Sequence, residues 1–215
     1  YIDLYIREEV QMEGLTRNIG NFARFLEAAS FSHGAVLNVS NIARECGVER
    51  KTVEGYLHVL EDLLLSFRLP VFTKRAQRVT AQHAKFYFFD TGIYNALRPS
   101  GPLDRPEEKA GAALEGLVAQ HLRAWIDYLH PESRLFYWRT LAGSEVDFVV
   151  YGKDLFHAIE VKHATVIHPK DLNALMAFGQ DYPEAKRTIL YRGKEKLLKD
   201  GIMIQPCADF LVNLG

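Results

Sequence analysis

Glu145-Val146-Asp147-Phe148-Val149-Val150-Tyr151-Gly152-Lys153-Asp154-Leu155-Phe156-His157-Ala158-Ile159-Glu160-Val161-Lys162 is the stretch that decides how this sequence folds. Two runs rich in β-branched and aromatic residues, 145 to 151 and 155 to 162, flank Tyr151-Gly152-Lys153-Asp154, and the pattern predicts a β-hairpin. Gly152 at the first central position suits a two-residue type II′ turn, which pairs Tyr151 with Asp154. Counting back from that pair sets Asp147 opposite Ala158 and Glu145 opposite Glu160. Glu145, Asp147, Glu160 and Lys162 then project from one face of the hairpin. The other face carries Val146, Phe148, Val150, Leu155, Ile159 and Val161, with His157 as the polar exception.

Carboxylates facing one another across strands destabilise a sheet unless something neutralises them. A hard divalent cation does so: Mg²⁺ or Mn²⁺ takes oxygen ligands, and a carboxylate pair with a backbone carbonyl suits its octahedral preference. Such an ion polarises a phosphoryl oxygen and makes water nucleophilic near neutral pH. Lys162 then orients that water or stabilises developing charge. An ordinary amphipathic hairpin with a solvated charged face has the same pattern, so the chemical reading leans on the Gly152 turn.

Working outward, residues 107 to 129 show a helical stripe of Leu114, Leu117, Val118, Leu122, Trp125 and Leu129. Strands are expected at 134 to 140, 145 to 151 and 155 to 162, then a helix near 169 to 180, a strand at 187 to 192 and a strand-and-helix piece from Gly201. The predicted order is αβββαβ. Upstream, Pro99-Ser100-Gly101-Pro102 and Asp104-Arg105-Pro106 form the densest cluster of chain breakers, which places a boundary between domains at 1–99 and 100–215. In the first domain a helix near 18 to 31 precedes a short helix capped by Ser40 and ending at Cys46. Gly47 then turns the chain into a longer helix from Glu49 to about Leu65, followed by strand-like runs at 67 to 72 and 85 to 89. That is the plan of a winged helix-turn-helix. The fold class expected is thus a two-domain α+β and α/β protein.

In this plan the opening of the longer helix, with Arg50, Lys51 and Thr52, is where DNA base edges are met. A basic stretch with Arg68, Lys74, Arg75, Arg78 and Lys85 tracks phosphates. Glu49 and Glu54 on the same helix temper that expectation. A net charge of −1 provides no global basic field, so nucleic-acid binding must come from such a local patch. No apolar run is long enough to cross a bilayer and no signal peptide is legible, so a cytoplasmic protein is expected. Cys46 and Cys207, the 2 cysteines, read as reduced thiols. His157, His163 and His168 lack metal-ligand spacing, and Ser144 lies in no nucleophile elbow. His163 and Lys170 follow the hairpin closely enough to touch a phosphate.

Asp147, 12 intervening residues and then Glu160-Val161-Lys162 resemble the D-x(n)-E-x-K signature of the PD-(D/E)XK phosphodiesterase superfamily. The resemblance implies Asp147 and Glu160 as metal ligands, the Val161 carbonyl as a third and Lys162 as the catalytic lysine. It further implies an acid on the first helix, which matches Glu115, and it implies bound Mg²⁺ or Mn²⁺. Val146 stands where that family often has proline. Over nearly its full length the chain also resembles the C-terminal region of bacterial and archaeal AAA-type ATPases. That likeness is carried by Gly47-Val48, by Lys85-Phe86-Tyr87-Phe88-Phe89-Asp90-Thr91-Gly92 and by Gly143-Ser144-Glu145-Val146-Asp147-Phe148.

The second resemblance implies that Tyr1 follows an ATPase domain, the protein's own partner, and that ATP binds only there. No G-x-x-x-x-G-K-[ST] loop occurs in this chain. The expected function is a Mg²⁺-dependent DNA endonuclease positioned by a winged helix. The alternative is a module that binds nucleic acid or protein, or self-associates, to regulate the ATPase without cutting.

Overall fold

The computed structural model describes residue 8 and residues 18–74, 83–102 and 104–214. They fall into two compact units. The first holds the described residues through Arg68 together with Ala84–Gly116; the second holds those of Leu69–His83 and Leu117–Gly215. Where a boundary at 99/100 was expected, the first unit continues to Gly116 and the described residues of 69–83 join the second. Val71 bridges Tyr137, and the Phe72 N–H donates to the Tyr137 carbonyl at 2.6 Å. Phe72 is 1% exposed among Phe136, Tyr151, Phe156 and Tyr182, and burying such a ring is worth about 2–3 kcal/mol.

In the first unit, α1 (Ile19–Ser30) buries Phe22, Phe25, Leu26 and Ala29. Helix α2 (Val39–Cys46) is capped by Asn38, whose side chain accepts from the Asn41 N–H; the expected cap, Ser40, lies inside the helix. Gly47 ends α2 in the left-handed region at φ 64°, where a side chain would be strained. Helix α3 (Arg50–Asp62) buries Val53, Tyr56, Leu57 and Leu60 against α1. Strands β1 (Ala35–Val36), β2 (Ser66–Leu69) and β3 (Lys85–Phe88) form a sheet with β3 in the centre. Asp90 accepts from the Gly92 and Ile93 N–H groups and so starts α4 (Thr91–Leu97), which follows the strand expected at 85 to 89.

Helix α5 (Pro106–Leu129) supplies Ala112 and Ala113 to the first core, and Val118, Ala119, Leu122 and Ile126 are buried on its later half. In the second unit come β4 (Arg134–Arg139), β5 (Glu145–Tyr151), β6 (Phe156–Lys162), a 3₁₀ turn (Pro169–Leu172), α6 (Asn173–Asp181), β7 (Lys186–Tyr191), β8 (Leu197–Lys199), β9 (Ile202–Pro206) and α7 (Cys207–Val212). The sheet runs β4-β5-β6-β7-β9-β8, antiparallel at β4/β5, β5/β6 and β9/β8 and parallel at β6/β7 and β7/β9. Leu172, Leu175 and Phe178 pack with Val149, Ala158 and Ile189, so α6 covers one face of the sheet.

The hairpin differs from its expected register. Tyr151 pairs with Phe156, not Asp154, and a four-residue loop joins them, closed by the Gly152 N–H donating to the Leu155 carbonyl at 2.8 Å. Gly152 is absent from the glycines with positive φ, so no type II′ turn forms there. A glycine is needed for another reason: a Cβ would come within 2.0 Å of Ser133 Oγ and 2.8 Å of its Cα. The pairing shifts by two residues, an even number, so β6 keeps its expected faces. Against β4 the outcome is different. Phe136 pairs with Val149 but Trp138 with Val146, leaving Asp147 and Phe148 opposite Tyr137 alone, a β-bulge. Val146 therefore packs in one cluster with Val149 and Ala158, rather than sharing the face of Phe148 as expected.

Candidate functional site

Both β5 ladders become irregular at Asp147. The β5/β6 ladder ends at Phe148↔Ile159, Ala158 pairs with Val149, and Asp147 and Glu160 are the next residues on their strands. That corrects the expected pairing of Asp147 with Ala158. The two carboxylate residues are 8% and 5% exposed. Beyond this point the backbone N–H of Val161 donates to Asp147 Oδ2 at 2.8 Å, so a side chain replaces the next ladder bond. Lys162 Nζ lies 2.6 Å from Glu160 Oε1. Burial pulls the Lys162 pKa down, and the carboxylates of Glu160, Asp147 and Asp171 more than offset this, leaving it above the ordinary lysine value. Asp171 had no place in the sequence reading. It is fixed by the His168 N–H, which donates to its Oδ2 at 2.8 Å at the start of the 3₁₀ turn.

The structure brings Asp147, Glu160, Val161 and Lys162 together. Glu145 instead meets Arg139 at 3.3 Å. Glu115, expected as the helix acid of this site, belongs to the first unit, where its Oε1 is 3.1 Å from Lys85 Nζ and 2.5 Å from the Tyr87 hydroxyl. Lys85 is 1% exposed, and a buried ammonium requires such a counter-ion. The alternation on β3 held a signal for this: Lys85 and Tyr87 share a face, and a lysine in an otherwise aromatic strand calls for a carboxylate.

Among the described residues, no group of three His, Cys, Asp or Glu side chains is arranged to hold a metal ion. Two carboxylates with a backbone carbonyl nonetheless make an all-oxygen set of the kind Mg²⁺ uses, since that ion keeps several waters and takes one or two carboxylates plus substrate phosphate. Asp147 and Glu160 supply two such carboxylates, tied together by the Val161 N–H from which Asp147 accepts.

The residues expected to meet nucleic acid are divided between the units. Arg50 and Lys51 are exposed and Thr52 half-buried at the start of α3, with Arg50 Nε 3.0 Å from Glu54. Lys74 sits over the Tyr151 ring at 4.5 Å from its centroid, in the second unit. Arg75 and Arg78 lie outside the described residues. Two further cations of the basic stretch are engaged internally: Arg68 makes a double contact with Glu61, at 2.6 and 2.7 Å, and Lys85 is buried. The stretch is therefore less basic at its surface than its composition suggests. His163 Nε2 accepts from Arg192 Nη1 at 2.8 Å, while Lys170 is exposed. No described helix is long and apolar enough to cross a membrane.

Two family models match successive parts of the chain: residues 1–104 match a domain of unknown function, DUF8612, and residues 110–210 another, DUF4143. The chain is also 26% identical over 220 residues to the uncharacterized protein Rv2008c of Mycobacterium tuberculosis, and equally to the uncharacterized protein Mb2031c of Mycobacterium bovis. Each alignment covers 100% of this chain and 48% of the relative, so the chain spans about half the length of these proteins.

Proposed function

We propose that the second unit is a PD-(D/E)XK-type, Mg²⁺- or Mn²⁺-dependent deoxyribonuclease, and that the first is a winged helix that presents DNA to it. In the intact cytoplasmic protein an AAA-type ATPase domain precedes both and supplies an ATP site. The observation that carries the reading is Asp147 at a β-bulge, accepting from the Val161 N–H beside Glu160, with Lys162 on Glu160. Bulges gather beside active sites because they re-aim a side chain. Asp147, Glu160 and the Val161 carbonyl would hold the ion, which supplies a polarised phosphoryl oxygen and a water of lowered pKa when bound. Lys162, kept protonated by three carboxylates, gives its ammonium to the scissile phosphate or to the attacking water.

A second reading has its own support. Lys162 already neutralises Glu160, and among the described residues no third side chain completes a metal-holding group with the pair. A module so arranged serves binding or self-association and regulates its ATPase without cutting. Calorimetric titration with Mg²⁺ or Mn²⁺ on wild type and Asp147→Ala, beside plasmid nicking with the same pair, separates the two. Binding and nicking that both vanish in the variant support the nuclease. Absent binding, or binding that ignores the substitution, removes it. Binding without nicking favours the regulatory module.

A further inference from the structure

Strands β6 and β7 run parallel and end at the same edge of the sheet, with Lys162 level with Tyr191. Open α/β sheets place ligands outside the carboxyl ends of such strands. Past that edge the chain leaves β6 through Thr165–Ile167 and leaves β7 through residues 192–196, and a cleft of about 650 Å³ is lined by both segments. Val166, Ile167, Leu172 and Leu198 give it apolar walls. Its charged lining is Arg192, Lys194 and Lys199 against one carboxylate, Glu195.

The mouth is a built structure. The Tyr191 hydroxyl donates to the Glu195 carbonyl at 2.9 Å and accepts from the Glu195 N–H at 3.1 Å. Gly193 lies so close to the Tyr191 ring that a Cβ would come within 2.0 Å of it. On the facing side the Arg192 N–H donates to the Ala164 carbonyl at 2.8 Å, and its guanidinium donates to His163. The loop is thus tied to the segment that follows Lys162, and Arg192 is held at the opening. His163 and Arg192 together form a feature that neither run of sequence shows alone.

We propose that this cleft receives an unpaired nucleotide of a single-stranded nucleic acid, its base against Val166 and Leu198 and its phosphates on Arg192 and Lys194. The choice of polymer rests on the nuclease reading of the adjoining site. The volume suits a small-molecule-sized group, within the range of about 300–1,000 Å³ usual for such clefts. Apolar walls under a cationic rim match an unstacked base joined to a phosphate. Bases stacked in a duplex cannot reach such walls without leaving the stack.

The test is fluorescence anisotropy with a labelled oligo(dT) strand and a blunt duplex of equal length, titrated with the full chain in EDTA at several salt concentrations. The expected result is tighter binding of the single strand. Arg192→Ala combined with Lys194→Ala should weaken it roughly tenfold and reduce the salt slope by about 1.4, at ~0.7 per single-strand phosphate contact. Val166→Asp should remove the preference for the single strand; Val166 is 61% exposed, so the fold tolerates the change. Equal or tighter binding of the duplex by wild type overturns the proposal, as does single-strand binding that survives both variants. Absence of oligo(dT) binding by wild type overturns it as well. EDTA keeps the outcome independent of the metal: strand binding that persists in Asp147→Ala, with nicking absent in wild type, sustains the cleft and defeats the nuclease. Nicking that persists in the Arg192/Lys194 variant with unaltered strand affinity does the reverse.

Discussion

Replacing Lys162 by methionine tests the electrostatics of the candidate site directly. Its ammonium is 2.6 Å from Glu160, with the two side chains 32% and 7% exposed. Removing one partner from a buried ion pair costs about 3–5 kcal/mol, because the other charge stays behind. A third of the lysine side chain reaches water, so screening brings the expectation to about 2–3 kcal/mol. The pH dependence has a definite sign. The folded pKa of Lys162 is raised above its ordinary 10.5. Its contribution is therefore complete below 10.5 and is lost as pH rises through the folded value, so wild type and Lys162→Met converge only in strong alkali. Urea denaturation followed by tryptophan fluorescence is the assay, since Trp125 and Trp138 both lie in the second unit. Added Mg²⁺ should then stabilise the variant more than wild type, because no ammonium competes for Glu160; saturation at a hundredfold Kd is worth about 2.7 kcal/mol. A variant within about 0.5 kcal/mol of wild type at neutral pH, or one whose melt ignores Mg²⁺, refutes the reasoning.

Two histidines should make the protein labile to acid. Burial holds His33 down to about 4, and burial with the Lys186 charge holds His157 down to about 3, against an ordinary 6.5. The folded state then binds fewer protons than the unfolded one, and stability falls as pH drops below 6.5, by about 2 kcal/mol per histidine near pH 5; urea melts of wild type and His157→Gln across that window check it. Gly152→Ala should lose about 1–3 kcal/mol through its clash with Ser133, and Gly152→Asn should fare no better, although asparagine is tolerated where a turn needs positive φ. Equal stability of Gly152→Asn and wild type would restore the turn reading. Gly55→Ala, on α3 where a Cβ meets nothing within 4 Å, should raise stability by about 1 kcal/mol, measured as a shift in the urea midpoint.

Alternation along β6 was legible because burial on a sheet has period two and a two-residue shift of register preserves it. The bulge at Asp147 was not, since it depends on which residues of β4 lie alongside, and nothing local in Glu145–Tyr151 marks it. The helices before and after Gly47 were legible from their apolar spacing and from the one residue that enters the left-handed region cheaply. Cap identity was not: Asn38 and Ser40 are both good caps, and only the hydrogen bond to Asn41 decides between them. Glu115 shows the limit most clearly. Helical periodicity puts it at the border of the apolar stripe, but the stripe cannot say which element it meets. Lys85 and Tyr87, about thirty positions earlier in the chain, are the residues it meets.

A hairpin whose only task was structural would have little use for this end of β5 and β6. Burying both Asp147 and Glu160 costs desolvation twice, and apolar residues of similar volume in such positions are often neutral or stabilising. Here the chain instead surrounds the pair with compensating groups. The Val161 N–H is given to Asp147, Lys162 to Glu160, and Asp171 adds the smallest of the carboxylate contributions that raise the lysine's pKa. That last charge is uneconomical if neutralising two carboxylates is the goal, because a third carboxylate works against it. It makes sense if the ammonium must stay charged while its present partner is engaged elsewhere. In the proposed site, Asp171 leaves the lysine one carboxylate neighbour when Glu160 and Asp147 are engaged by a cation. Asp171→Asn should therefore weaken nicking without weakening Mg²⁺ binding, and a loss of both would mean that Asp171 serves only to hold the 3₁₀ turn.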